Sequence, residues 1–115
     1  NFTVVNMTFN LKLANDPSTT NGKLMYDVIK LRRGAKATIS NVMVTGTGAV
    51  QDLVDCTDSK GDAATGSTIN ITNSLTNTIT GSASKPGANT AAVTVSTTNT
   101  GCSKDIFAWT GYTNF

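Results

Sequence analysis

Four times along the chain a short run rich in β-branched residues ends on a small amide or hydroxyl: Thr3-Val4-Val5-Asn6, Thr38-Ile39-Ser40-Asn41, Asn70-Ile71-Thr72-Asn73 and Thr94-Val95-Ser96-Thr97. Strands that stop repeatedly at the same kind of residue, with loops of unequal length between them, are what the stacked turns of a β-solenoid write into a sequence. The expected fold is therefore all-β, a segment of a parallel β-helix, with a β-sandwich or a pilin-like head domain as alternatives. In the first three phrases the Asn shares the phase of an aliphatic residue two places earlier. Asn6, Asn41 and Asn73 are thus expected to turn inward at equivalent corners, with Thr97 as the last member of the ladder. A buried amide left unpaired costs about 1 to 3 kcal/mol, so stacked amides would have to bond one another and the turn backbone. The alternative use of these Asn residues is ordinary turn punctuation.

Polar surface of an unusual kind accompanies this pattern. Only 14% of the 115 residues are charged and 38% are hydrophobic, while Thr, Ser and Asn together supply roughly a third, well above average usage. Short uncharged groups lose little side-chain entropy when ordered, and Thr favours extended backbone, so the bias suits exposed sheet faces. A single β-rich domain over residues 1–115 is expected. The chain starts at Asn1 without an initiator Met, which reads as a processed product or a piece of a longer protein.

Within this domain Met7, Phe9, Leu11 and Leu13 alternate with polar residues as a half-buried strand should. Further strands are expected over Tyr26 to Arg32, Ala37 to Val44, Leu53 to Cys56, Thr68 to Thr72, Thr76 to Thr80 and Ala92 to Thr97. Leu24, Val28 and Leu31, and again Val50, Leu53 and Val54, also sit at helical spacing, which keeps a short helix open at both places. Asn15 to Gly22 and Gly81 to Asn89 read as loops, the first for its Asp-Pro and Asn-Gly pairs, the second for Pro86-Gly87. Thr45-Gly46-Thr47-Gly48 is expected to end its strand.

Chemistry is thinly represented. The chain has no His and no Glu, which removes the commonest general base and the commonest transition-metal ligand. A net charge of +2 gives no reason to expect a nucleic-acid partner, and no apolar run is long enough to span a membrane. Asp52, Asp55, Asp58 and Asp62 form the one acidic cluster. Paired carboxylates can hydrolyse glycosides, but supporting groups are scarce and no enzyme is expected. Calcium at Asp55, Asp58 and Asp62 is the single cofactor these hard oxygen ligands allow for, against the plainer reading of a solvated loop.

Lys30, Arg32, Arg33 and Lys36 form a basic group that either holds an anionic glycan or simply keeps a strand edge solvated. Trp109 and Tyr112 either stack on sugars or cap a sheet end. Cys56 and Cys102 are expected to form a disulfide, as in exported proteins; the alternative is two separate thiols.

Together, Asp27-Val28-Ile29-Lys30-Leu31-Arg32-Arg33-Gly34-Ala35-Lys36, Ile39-Ser40-Asn41, Asp52-Leu53-Val54-Asp55 with Thr57-Asp58-Ser59-Lys60-Gly61, and Phe107-Ala108-Trp109-Thr110-Gly111-Tyr112 resemble the carboxy-terminal portion of large secreted right-handed β-helix proteins of Bacteroidota. The resemblance implies a secreted or cell-surface location and only the last few coils of a longer protein. It points to a structural, non-catalytic role, either self-assembling as a homo-oligomer or filament or binding cell-surface glycan in adhesion; a pilin-like filament subunit is the further alternative.

Overall fold

A computed structural model describes residues 1–12, 26–76, 79–103, 105 and 109–111. Six strands form: β1 (Phe2–Lys12), β2 (Asp27–Lys30), β3 (Ala37–Thr47), β4 (Asp52–Asp55), β5 (Thr68–Thr76) and β6 (Ala92–Ser96). The chain is mostly strand, with no α-helix among the described residues. β1, β3, β5 and β6 pair in that order in a parallel sheet, and β2 pairs with β4 in a second parallel sheet. Parallel neighbours need a long crossover, and here two of the crossovers carry a strand of the other sheet. The sheets stay separate and open-edged.

In-register pairing aligns like residues in rows. Val4, Ile39, Ile69 and Val93 form one row across the first sheet, and Met7, Val42, Ile71 and Val95 the next. The middle members are buried, Val42 and Ile71 completely, whereas Val95 at the end of its row is 45% exposed. Leu31, Leu53, Val54 and Cys56 also belong to the core. Full burial of one such aliphatic side chain stabilises by about 1.5 to 3 kcal/mol, so the middle rungs hold most of the cohesion.

At the two places where helical spacing competed, β2 and β4 form instead. Their β-branched residues and paired backbone groups favour the sheet. β3 runs on through Thr45-Gly46 rather than stopping there. Gly46 holds φ at 103°, and a Cβ on it would collide with the backbone of Leu11 on β1. That glycine permits close strand approach instead of ending the strand.

The expected loop Gly81 to Asn89 contains a third rung of the second sheet. Leu53 N donates to Ser82 O at 3.0 Å, Lys85 N to Val54 O at 2.9 Å and Cys56 N to Lys85 O at 2.8 Å. Ser82-Ala83-Ser84-Lys85 lacks the apolar alternation that announces a strand, so its pairing is visible only in space. The expected loop Asn15 to Gly22, Leu13 and Leu24 lie outside the described residues, as do Asn77 and Thr78 of the expected strand Thr76 to Thr80, whose Thr76 belongs to β5 and whose Ile79 bridges Val50.

Candidate functional site

Both sheets begin at the same end of the molecule, with β1 and β2, each paired on one side only among the described residues. Between them lies a mainly apolar hollow of about 240 Å³, whose lining includes Val4, Met7 and Phe9 of β1, Val28 and Ile29 of β2, and Leu31. The aliphatic rows are unfinished here: Val4, Met7 and Phe9 pack on the core but stay partly exposed. Phe2 and Lys30 also line the hollow, and Phe2 is 47% exposed.

Next to this end, the second sheet stacks charge. Asp27 pairs with Asp52, Lys30 with Asp55, and Asp55 with Lys85. Carboxylate oxygens of Asp27, Asp52 and Asp55 all lie within 4.8 Å of one another. Lys30 Nζ donates to Asp55 Oδ2 at 2.6 Å and stands 3.7 Å from Asp27 Oδ2, while Lys85 Nζ donates to Asp52 Oδ2 at 2.5 Å. Ser82 N and Thr57 N also donate, to Asp52 and Asp55 respectively.

Two ammonium groups thus serve three carboxylates, and Asp27 is the one left with a long, shared contact. Burial raises its pKa above the ordinary 3.8, with Lys30 opposing and Asp55 and Asp52 adding to the rise. Burial also acts on Asp55, but Lys30 and Thr57 outweigh it and hold that carboxyl below the usual range. The reciprocal effect raises Lys30, its burial being outweighed by Asp55 and Asp27. Three close carboxylates are a donor set that could suit a hard cation; here lysine ammonium groups already lie against their oxygens.

On the outer face of the first sheet, residues Asn99 to Cys102 run back across the strands. Asn99 Nδ2 donates to Asn70 Oδ1 on β5 and to Val42 O on β3. Thr100 N and Gly101 N donate to Asn41 Oδ1 on β3, and Cys102 N donates to Thr8 Oγ1 on β1 at 2.9 Å. Under this strap is a groove of about 760 Å³, lined by β1 and β3 residues that include Val5, Asn6, Thr8, Asn10 and Met43, with no charged side chain on its walls among the described residues.

The expected Asn ladder takes a different form. Asn6 and Asn41 both adopt left-handed backbone, with φ of 59° and 51°, and Asn41 Nδ2 donates to Asn6 Oδ1 at 2.7 Å. Each falls between the pairs Val5–Ser40 and Met7–Val42. A left-handed residue breaks the two-residue phase, so Asn6 is exposed and Asn41 half-buried instead of pointing into the core. β5 lacks the extra residue: Ile39 pairs with Ile69 and Val42 with Ile71. Asn73 consequently stands opposite Val44, exposed, and Thr97 lies past the end of β6. Asn70, bonded by Asn99, is the amide nearest this part of the third rung, and sequence phase alone could not single it out.

Other expected sites fare variously. Cys56 and Cys102 are free thiols; Cys56 is fully buried in the core, whereas Cys102 sits on the strap across the outer face, so the expected disulfide is replaced by two separate environments. The basic group is largely engaged, Lys30 with Asp55, Arg32 with Asp58 at 3.1 Å and Arg33 with Asp58 at 3.8 Å. Lys36 lies near Gly66. Asp55, Asp58 and Asp62 do not converge as one ligand set. Asp62 instead accepts from Asp58 N and Ala88 N, and Asp58 from Lys60 N, so both carboxyls are held below their usual range chiefly by those backbone bonds. Trp109 is 85% exposed, and Tyr112 lies outside the described residues.

No family model matches the chain, and no curated protein or solved structure matches it at a significant level. The likeness to β-helix proteins of Bacteroidota therefore rests on the sequence phrases alone.

Proposed function

We propose that this chain is a non-catalytic structural segment of an exported cell-surface protein, built as a short parallel β-solenoid. The observation that carries the reading is the continuous row Val4–Ile39–Ile69–Val93, contributed by four parallel strands in register. Such rows are how a repeat architecture buries a core that no single turn could bury alone. A structural role is further supported by the carboxylates, since Asp52, Asp55, Asp58 and Asp62 each accept a hydrogen bond from another segment, from Ser82 N, Lys30 Nζ, Arg32 and Ala88 N respectively. Immunogold labelling of intact, unpermeabilised source cells tests the location. Surface label is expected, and label confined to the cell interior overturns the reading.

A second reading, a module for uncharged cell-surface glycan, is favoured by the groove beneath the strap, whose walls offer Asn and Thr side chains beside Val5 and Met43. Flat responses on an array of neutral glycans would sink it.

A further inference from the structure

We propose that Lys85 and Asp52 condense into an intramolecular amide, a covalent tie between β4 and the Ser82–Lys85 rung, with Asp27 carrying the protons. The inference goes beyond the surface-protein reading and does not depend on it. Lys85 Nζ stands 2.5 Å from Asp52 Oδ2, a nitrogen nucleophile beside a carboxyl group 33 positions away in the chain. That carboxyl is fixed in place. Asp52 is 1% exposed, its backbone N donates to Tyr26 O, and its Oδ1 accepts from Ser82 N at 2.7 Å. Gly81 makes the room, since a Cβ there would collide with Asp52 Oδ1. Reacting groups held in this way behave as if present at about 10⁵ to 10⁸ M, which offsets the preference of amines and carboxylates in water to stay unjoined.

The stack divides its carboxyls. At Asp55 burial is outweighed by Lys30 on Oδ2 and by Thr57 N and Oγ1 on Oδ1, and a carboxyl held ionised in this way resists attack by an amine. Asp52 raises the pKa of Lys85, so the reactive state is the pair after it has exchanged its proton, an amine beside a carboxylic acid. That state carries no charge, and burial at Asp52 favours it over two ions. Nζ then bonds to Cγ, and Ser82 N meets the charge that develops on Oδ1. The Cγ–Oδ2 bond breaks as Asp27 gives its proton to the departing hydroxyl, which leaves as water, and Asp27 takes back the proton released by Nζ. One ammonium and one carboxylate become one amide and one water, with no oxidant or cofactor consumed. Asp27 suits this shuttle because its carboxylate lies within 4.8 Å of that of Asp52, and burial lets it hold a proton more readily than an ordinary carboxyl. Asp27 is itself partly exposed and water can carry the same proton, so Asp27 sets the rate of joining rather than its extent.

Mass spectrometry on the folded 115-residue chain reads the tie directly. An intact mass one water below that of the sequence, about 18 Da, is expected. Trypsin cuts after Lys60, and residues 37–60, which hold Asp52, should stay joined to residues 61–104, which hold Lys85, after denaturation has broken every ion pair. Lys85→Arg keeps a cation beside Asp52 but cannot form this amide, and should return the full mass and release the two fragments. Should that variant misfold, fragment sequencing of the wild-type digest still decides, by placing the branch at Lys85 and Asp52. A wild-type chain of full mass whose fragments separate holds an ordinary ion pair and overturns the proposal, as does a branch at any other pair of residues. Either result leaves the surface-protein reading standing, because cell labelling tests that separately.

Discussion

The side-chain amide of Asn41 donates to Asn6 Oδ1 at 2.7 Å, and both residues occupy the left-handed backbone region. Asn is among the few non-glycine residues that tolerate this region. The same side chain accepts from Thr100 N at 2.8 Å, so a single amide joins two strands and the strap.

Asn41→Ala removes those bonds and places an alanine at positive φ. Chemical denaturation should show a loss of about 2 to 4 kcal/mol. Asn41→Gly removes the same bonds but relieves the backbone, and should recover about 1 kcal/mol of that loss. Equal losses in the two variants would mean that backbone conformation contributes nothing here.

Gly101 holds φ at 68°, and a Cβ there would collide with Thr8 Oγ1 and crowd Met43 Cβ. Gly101→Ala is therefore expected to lift the strap from the first two rungs. The reporter is hydrogen exchange at the Cys102 amide, which bonds Thr8. Faster exchange there, with little change at Val42, is the expected pattern.

Acid should act in two stages. Asp27 has a folded pKa above 3.8, so its ionisation opposes folding, and protonation through the folded value relieves that opposition. Asp55 has a folded pKa below 3.8. Its contribution is present above the unfolded value and is lost as pH falls through the folded one. Stability should thus hold or rise slightly on mild acidification and drop below about pH 4. At neutral pH and low protein concentration, Asp27→Asn should be more stable than wild type by a few tenths to about 1 kcal/mol. Urea midpoints at several pH values check both signs.

Thiol labelling should divide the two cysteines. Cys102 is partly exposed and Cys56 buried, with burial the largest cause pushing the Cys56 thiol up and Asp55 adding to it. Iodoacetamide is expected to modify Cys102 in the native protein and Cys56 only after denaturation. A native mass indicating no reactive thiol, restored by reductant, would reinstate a disulfide.

Local pattern made some of this architecture readable. Met7, Phe9 and Leu11 announce β1 by alternation, and Ile69 and Ile71 announce β5, because one face of each strand packs against the core. Where conformation departs from the regular pleat the pattern misleads. One left-handed residue at Asn6 or Asn41 shifts the phase, and the inward orientation expected for these amides becomes an outward one. The Ser82–Lys85 rung has no local signal, since its order comes from backbone bonds to β4. The charged stack was equally hidden: Lys30 and Asp55 read as members of separate clusters, and only parallel register sets them opposite each other. Side chains joined across such distances along the chain leave no spacing rule to read.

The strap also fixes an order of events. Cys102 N bonds Thr8 Oγ1 across 94 positions of chain, so β1, synthesised before the other described strands, receives one of its ties only after residue 102 has been made. During synthesis the first rung must wait, its edge and its apolar side chains available to other chains for the whole interval. A ribosome pausing before residue 102 would prolong that exposure, and slow translation of the segment leading to residue 102 is therefore a hazard to β1 rather than to the residues being added.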